Sequence, residues 1–138
     1  MDKRLIGVNH TVYINYLCFT VGKIVVKDNK LNISYYPGFK DMVKLWKEEL
    51  PFKEGVRESI PAELKTRMKS PKCYMMRDFI KSHNITYENE FELLGKTGGW
   101  KINSPYNFSN YDRTGYDRYR GIVDKYNAGD RVLLNFDD

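Results

Sequence analysis

The sequence predicts an α+β fold in a single domain that spans residues 1–138. Three observations carry this prediction: β-type segments fill the first third of the chain, helix-type segments follow, and two further β-type segments close it. Strands and helices that are segregated along a chain are typical of α+β proteins. A length of 138 residues with 41% apolar residues is ordinary for one domain with one core.

The N-terminal third predicts an antiparallel three-stranded sheet. Thr11 to Thr20 is rich in β-branched and aromatic residues, and Lys23 to Lys27 follows as a second strand after Gly22 breaks the pattern. Apolar and polar residues alternate over 31–36, which is the pattern of a half-buried third strand. Residues 28–30 (DNK) have the composition of a tight turn, so consecutive strands should pair.

Three to four short helices are predicted in the middle of the chain. Apolar spacing predicts an amphipathic helix from Phe39 to Leu50, and a second helix should begin near Pro61. Ser70 and Pro71 predict the start of a third helix, because Ser can cap free amides and Pro is tolerated at the first helical position. A fourth helix is predicted from Glu88 to Lys96. The third helix is expected to turn its apolar side chains inward: Cys73, Met76, Phe79 and Ile80.

The C-terminal quarter predicts a loop and then a β-hairpin. Residues 101–115 are rich in Asn, Ser, Tyr and Pro, which is typical of an ordered loop. Two β-type segments within 119–136 flank the turn at residues 127–130.

Cysteine usage and hydropathy predict a cytoplasmic protein. Cys18 and Cys73 are the only cysteines, and each is predicted to be a buried thiol. The N-terminal segment lacks the apolar stretch of a signal peptide, and no stretch reaches the length that a membrane span needs.

No residue pattern predicts an enzyme, and no metal or cofactor is expected. His10 and His83 are the only histidines, and no partner residues at catalytic or metal-ligand spacing accompany them. Gly95-Lys96-Thr97 lacks the earlier glycine of a phosphate-binding loop, since position 90 is Glu. We therefore expect a protein that acts by binding.

A basic stretch in the helical region is one candidate binding site. Asp78 is the one acid that interrupts it. Such a stretch can bind the phosphates of a nucleic acid or an acidic partner, and it can equally be the solvated face of two helices. Its members are Lys65, Arg67, Lys69, Lys72, Arg77 and Lys81.

A segment that interleaves tyrosine with arginine is the second candidate. This composition suits a protein interface, where Tyr and Arg are enriched, and it suits stacking on single-stranded nucleic acid. It is also compatible with a plain structural loop, and two intervening aspartates weigh against nucleic acid. The candidate residues are Tyr111, Arg113, Tyr116, Arg118, Tyr119 and Arg120.

Three stretches together resemble the N-terminal subdomain of HipA-type proteins. They are residues 21–24 with 31–35, residues 60–67, and residues 91–99 (FELLGKTGG), and the resemblance covers roughly residues 12 to 108. The tail, with Gly129-Asp130 before RVLL, is similar to the small β-domain called HIRAN.

The resemblance implies a regulatory role. HipA-type proteins are Ser/Thr kinase toxins, and their N-terminal subdomain as a separate chain, HipS-like, can act as an antitoxin that binds the kinase. No kinase catalytic motif is present here. The expected function is therefore that of a non-catalytic protein-binding regulator, with a HipA-type kinase or another defence or phage protein as its partner. The alternative is a small nucleic-acid-binding module that uses the basic stretch.

Overall fold

The computed structural model describes residues 2–17 and 19–113, and these residues confirm the α+β class. They form one five-stranded antiparallel sheet and four helices, preceded by a 3₁₀ turn at Lys3–Leu5. In chain order the elements are β1 (His10–Tyr16), β2 (Phe19–Lys27), β3 (Lys30–Tyr35), α1 (Pro37–Leu45), β4 (Gly55–Arg57), α2 (Ala62–Lys65), α3 (Tyr74–Ser82), α4 (Glu90–Thr97) and β5 (Tyr106–Ser109).

The three N-terminal strands pair as predicted, and two later strands extend the sheet. Its spatial order is β4-β3-β2-β1-β5, with every pair antiparallel. Asp28 and Asn29 make the β2–β3 turn with positive φ angles of 52° and 61°, a conformation that Asp and Asn tolerate. The predicted loop over 101–115 is wrong in part, because it contains β5, which pairs with β1.

Gly22 lies inside β2, so the prediction that it separates two strands is wrong. It pairs with Ile14 on one side and Tyr35 on the other, next to an irregularity in the β1–β2 register. A Cβ at this position would lie 2.5 Å from the carbonyl oxygen of Ser34. Gly22 is therefore the residue that permits β3 to approach β2 closely.

The helices are shorter than predicted, and local backbone geometry explains each end. The first helix ends at Leu45, because Lys47 takes a left-handed φ of 57°. The second is a single turn at Ala62–Lys65 with Pro61 before it. The third begins at Tyr74, not at Pro71, because Ser70 accepts a hydrogen bond from the Lys72 amide and forms a turn there.

One core lies between the sheet and the helices. Val12 and Ile14 of β1, Phe39 of α1, and Phe91 and Leu94 of α4 belong to a single buried cluster. The predicted C-terminal hairpin and Cys18 lie outside the described residues. Within the described part of the chain, no helix has the length and apolar character that crossing a membrane requires.

Helix α4 begins with a side-chain cap, and this cap yields a stability prediction. The Asn89 Oδ1 accepts hydrogen bonds from the amides of Phe91 at 3.0 Å and Glu92 at 2.9 Å. Replacing Asn89 with Ala should lower the free energy of unfolding by about 1 kcal/mol, because both amides lose their partner. Asn89→Asp keeps the acceptor and should stay close to wild type in urea unfolding. An equal loss of unfolding free energy in both variants would show that the acceptor oxygen at position 89 does not stabilise the helix.

Candidate functional site

Helix α3 carries several large apolar side chains, yet none of its residues is buried. Tyr74 and Met75 are 76% and 78% exposed, and Phe79 is also exposed. The prediction that Cys73, Met76, Phe79 and Ile80 face the core is therefore wrong: Cys73 is an exposed free thiol, and Met76 and Ile80 are only half-buried. Apolar spacing predicts which side of a helix is apolar, but not whether another element covers that side.

The C-terminal end of α3 is ordered by local contacts. The rings of Phe79 and His83 stack with centroids 4.2 Å apart. His83 Nδ1 also lies 3.0 Å from the Phe79 carbonyl oxygen, to which it donates when that nitrogen carries the proton. Asn84 then takes a left-handed φ of 51° and ends the helix, as its residue type allows. The aromatic ring of Phe79 is thereby held in place without being buried.

An open groove of about 540 Å³ separates α3 from the segment that follows α4. We call it the α3 groove. Its apolar lining comes from Cys73, Met75, Met76 and Phe79 on one wall and from Trp100 on the other. Its remaining lining residues are Arg67, Lys69, Thr97 and Gly99.

Trp100 follows two glycines that end α4, and its indole lies close to the first of them. Gly98 caps the helix with a left-handed φ of 84°, and Gly99 is also left-handed at 55°. A Cβ on Gly98 would come within 2.4 Å of the Trp100 Nε1, so only glycine allows the indole to lie there. The Gly98 carbonyl oxygen accepts a hydrogen bond from the Phe108 amide at 2.9 Å, which ties this turn to β5. Trp100 nevertheless stays 61% exposed.

Arg67 joins the floor of the α3 groove to the sheet. It is only 6% exposed, and burial lowers the pKa of its guanidinium, although arginine stays charged in proteins. Its Nη1 donates to the carbonyl oxygens of Gly99 at 3.2 Å and Tyr106 at 2.9 Å. Its Nη2 donates to the Ser104 Oγ at 2.6 Å, and the guanidinium carbon lies 5.5 Å from the Phe52 ring centre.

Arg67 therefore does not fit the predicted nucleic-acid site, because both of its Nη atoms are hydrogen-bonded inside the protein. The other five members of the basic stretch are exposed. Within the described ranges none of the five takes part in an ion pair. Lys69 lines the α3 groove, and Lys72 directly precedes Cys73. The surface around the groove is thus positively charged.

The described residues include two members of the Tyr/Arg segment. The Arg113 guanidinium lies 4.7 Å from the ring centre of Tyr111 and donates to its hydroxyl. The Arg113 amide donates to the Thr20 Oγ1, and that hydroxyl donates to the buried Asn15. These bonds attach the start of the segment to the sheet. The other four candidates lie outside the described residues: Tyr116, Arg118, Tyr119 and Arg120.

The remaining candidates for chemistry are used in local structure. His10 Nε2 lies 2.8 Å from the Asn110 Oδ1, and the Asn110 side-chain Nδ2 donates to the Glu92 carbonyl oxygen. The side chain of Lys96 pairs with that of Glu92 at 3.1 Å, and their hydrogen bond lowers the pKa of the Glu92 carboxyl. Among the residues that the structure describes, no three His, Cys, Asp or Glu side chains cluster as metal ligands would.

Sequence reasoning missed the groove because its walls come from two segments that are distant along the chain. Two signals were nevertheless present. Met75 and Met76 are adjacent, so both could not face one core, and a Gly-Gly-Trp sequence follows α4 directly. A large aromatic side chain that follows two glycines beyond a helix end is typically exposed.

Comparison with known proteins adds no family: no protein-family model, no curated protein and no solved structure matches this chain.

The Arg67 contacts predict a large and specific stability loss. Arg67→Met leaves the Gly99 and Tyr106 carbonyl oxygens without their charged donor and should lower the free energy of unfolding by about 3 kcal/mol. Lys65→Met, two residues earlier and exposed, is the matched control and should change it by less than about 0.5 kcal/mol. Urea unfolding followed by circular dichroism measures both. Similar values for the two variants would contradict the role given to Arg67.

Proposed function

We propose that this protein is a non-catalytic, cytoplasmic regulator that binds another protein through the α3 groove. The observation that carries the proposal is the combination of an apolar helix side that no residue within 2–17 and 19–113 buries with an exposed tryptophan opposite it. Exposed apolar side chains gathered around one groove are typical of interaction sites. Trp, Tyr, Phe, Met and Arg are also the residue types enriched in protein interfaces.

The framework of the groove is suited to binding because one of its walls is already ordered. The Arg67 hydrogen bond to the Gly99 carbonyl oxygen fixes the backbone that leads into Trp100, and the indole lies close to Gly98. A preordered aromatic side chain loses less conformational entropy on association, so more of its burial contributes to affinity. Met75 and Met76, on the opposite wall, are flexible and can adjust to the shape of the partner.

The resemblance to HipA-type subdomains supplies the first partner to try. If it reflects common descent, the chain is an antitoxin-like regulator whose partner is a HipA-type Ser/Thr kinase, or another protein of a defence or phage system. The Tyr/Arg segment remains a predicted second contact, since Tyr111 and Arg113 are attached to the sheet beside Thr20.

A charge placed in the groove should abolish partner capture. Met75→Glu puts a carboxylate on the apolar wall, and the fold should tolerate it because Met75 is 78% exposed. Leu45→Glu is the matched control: it is also an apolar residue of a helix, 58% exposed, but outside the groove. The partner is first captured from a nuclease-treated lysate of the source cells with the tagged wild-type chain. It is then purified, and its Kd is measured against all three forms.

Met75→Glu should raise that Kd at least about tenfold, which corresponds to about 1.4 kcal/mol, whereas Leu45→Glu should leave it unchanged. A captured protein that binds Met75→Glu as tightly as the wild type would remove the groove as its site. A HipA-type kinase among the captured proteins would support the resemblance as well.

A second candidate function is nucleic-acid binding, favoured by five exposed cations without acidic partners in the described part of the chain. It predicts that affinity for a single-stranded oligonucleotide falls steeply with salt. A plot of log association constant against log salt concentration should have a slope of roughly −0.7 for each phosphate contacted. Lys69→Gln with Lys72→Gln should flatten that slope, and Lys27→Gln with Lys30→Gln, at the distant β2–β3 turn, should not. A response that is flat in the wild type would exclude this function.

A further inference from the structure

The α3 groove combines an apolar centre with a cationic surround. Trp100, Met75 and Phe79 supply the apolar surface. Lys69 lines the groove, and Lys101 follows Trp100 as an exposed residue. Between residues 65 and 81 the chain holds six cations and only one acid, Asp78. A partner must therefore supply apolar side chains for the centre and should carry negative charge around them.

Arg67 adds positive charge at the base of the groove. Its hydrogen bonds go to two carbonyl oxygens and a hydroxyl, and within residues 2–17 and 19–113 no carboxylate pairs with it. Its charge is thus not neutralised by an anion of the described chain. Because a partly buried charge is screened less than an exposed one, it contributes to the potential that a partner meets in the groove.

The dimensions of the groove suit a helix. At about 1.5 Å per residue, the nine residues of α3 form a wall roughly 13 Å long. Apolar residues at positions i, i+4 and i+7 of a partner helix span about 10 Å, which fits along that wall. The side of α3 that the described residues leave exposed offers the ridges against which another helix packs.

We infer that the occupant of the α3 groove is an acidic amphipathic helix of a partner protein, with apolar anchors at i, i+4 and i+7 between Glu or Asp residues. This inference rests on the proposed function, since it names the chemistry of the partner that the groove binds. The apolar anchors bury against Trp100, Met75 and Phe79, and the carboxylates face the cations around them.

Methionine methyl groups give a site-resolved test. The full chain is labelled with ¹³C-methyl methionine and titrated with a blocked helical peptide that has Leu at i, i+4 and i+7 and Glu and Ala elsewhere. Single Met→Leu variants assign the signals. The Met75 and Met76 signals should shift on titration, whereas that of Met42, buried in the core, should stay in place.

Two matched peptides separate charge from apolar contact. Lys replaces every Glu in one, and Gln replaces every Leu in the other. Both should bind at least about tenfold more weakly than the acidic amphipathic peptide. Lys69→Gln with Lys72→Gln should weaken binding of the acidic peptide, and Met75→Glu should abolish the shift of the remaining Met76 signal. Far-UV circular dichroism checks that each variant is folded.

Three results would overturn the inference. The first is equal or tighter binding of the Lys peptide, and the second is the absence of Met75 and Met76 shifts with the acidic peptide. The third is a shift of these signals only with anionic lipid vesicles or with a single-stranded oligonucleotide, which would assign the groove to a membrane surface or a nucleic acid. If binding of a captured partner requires Met75 but the acidic peptide does not bind, the proposed function stands. Only the inferred chemistry of the partner is then contradicted.

Discussion

The buried guanidinium of Arg67 is the contact on which the arrangement of the helical region depends. It joins the end of the short helix α2 to the turn after α4 and to β5, through the carbonyl oxygens of Gly99 and Tyr106. Helix α2 has a single turn and could not hold this position by its own hydrogen bonds. Since buried backbone carbonyls need donors, one side chain satisfies groups from two segments and keeps them together.

The same contact links the core to the candidate site. The Gly99 carbonyl oxygen that Arg67 binds belongs to the peptide bond that leads into Trp100, so the guanidinium fixes the backbone from which the indole extends. The opposite wall of the groove is different in kind, because α3 buries no residue and is held mainly by contacts near its own ends. One wall therefore belongs to the cooperative fold, and the other can adjust or open locally at small cost.

Features that depend on local residue types could be predicted from the sequence. Features that depend on contacts between distant segments could not. The turn at Asp28-Asn29 and the end of α4 at Gly98 follow from what these residue types permit by themselves. Strand β5 could not be predicted, because its partner β1 lies about 90 residues earlier and no local pattern records that pairing. The sequence shows where cations are dense along the chain, but only the structure separates the buried Arg67 from the five exposed cations.

The exposed apolar side of α3 carries functional information of its own. The local sequence pattern predicts a buried helix face, yet the described part of the fold does not bury it. Such disagreement between local pattern and fold is expected at functional sites. Met75 and Phe79 are exposed, so they cost free energy in water and contribute little to folding. Stability therefore does not explain why these two side chains stand opposite Trp100. Burial against the partner that we propose would explain it, because association would remove this apolar surface from water.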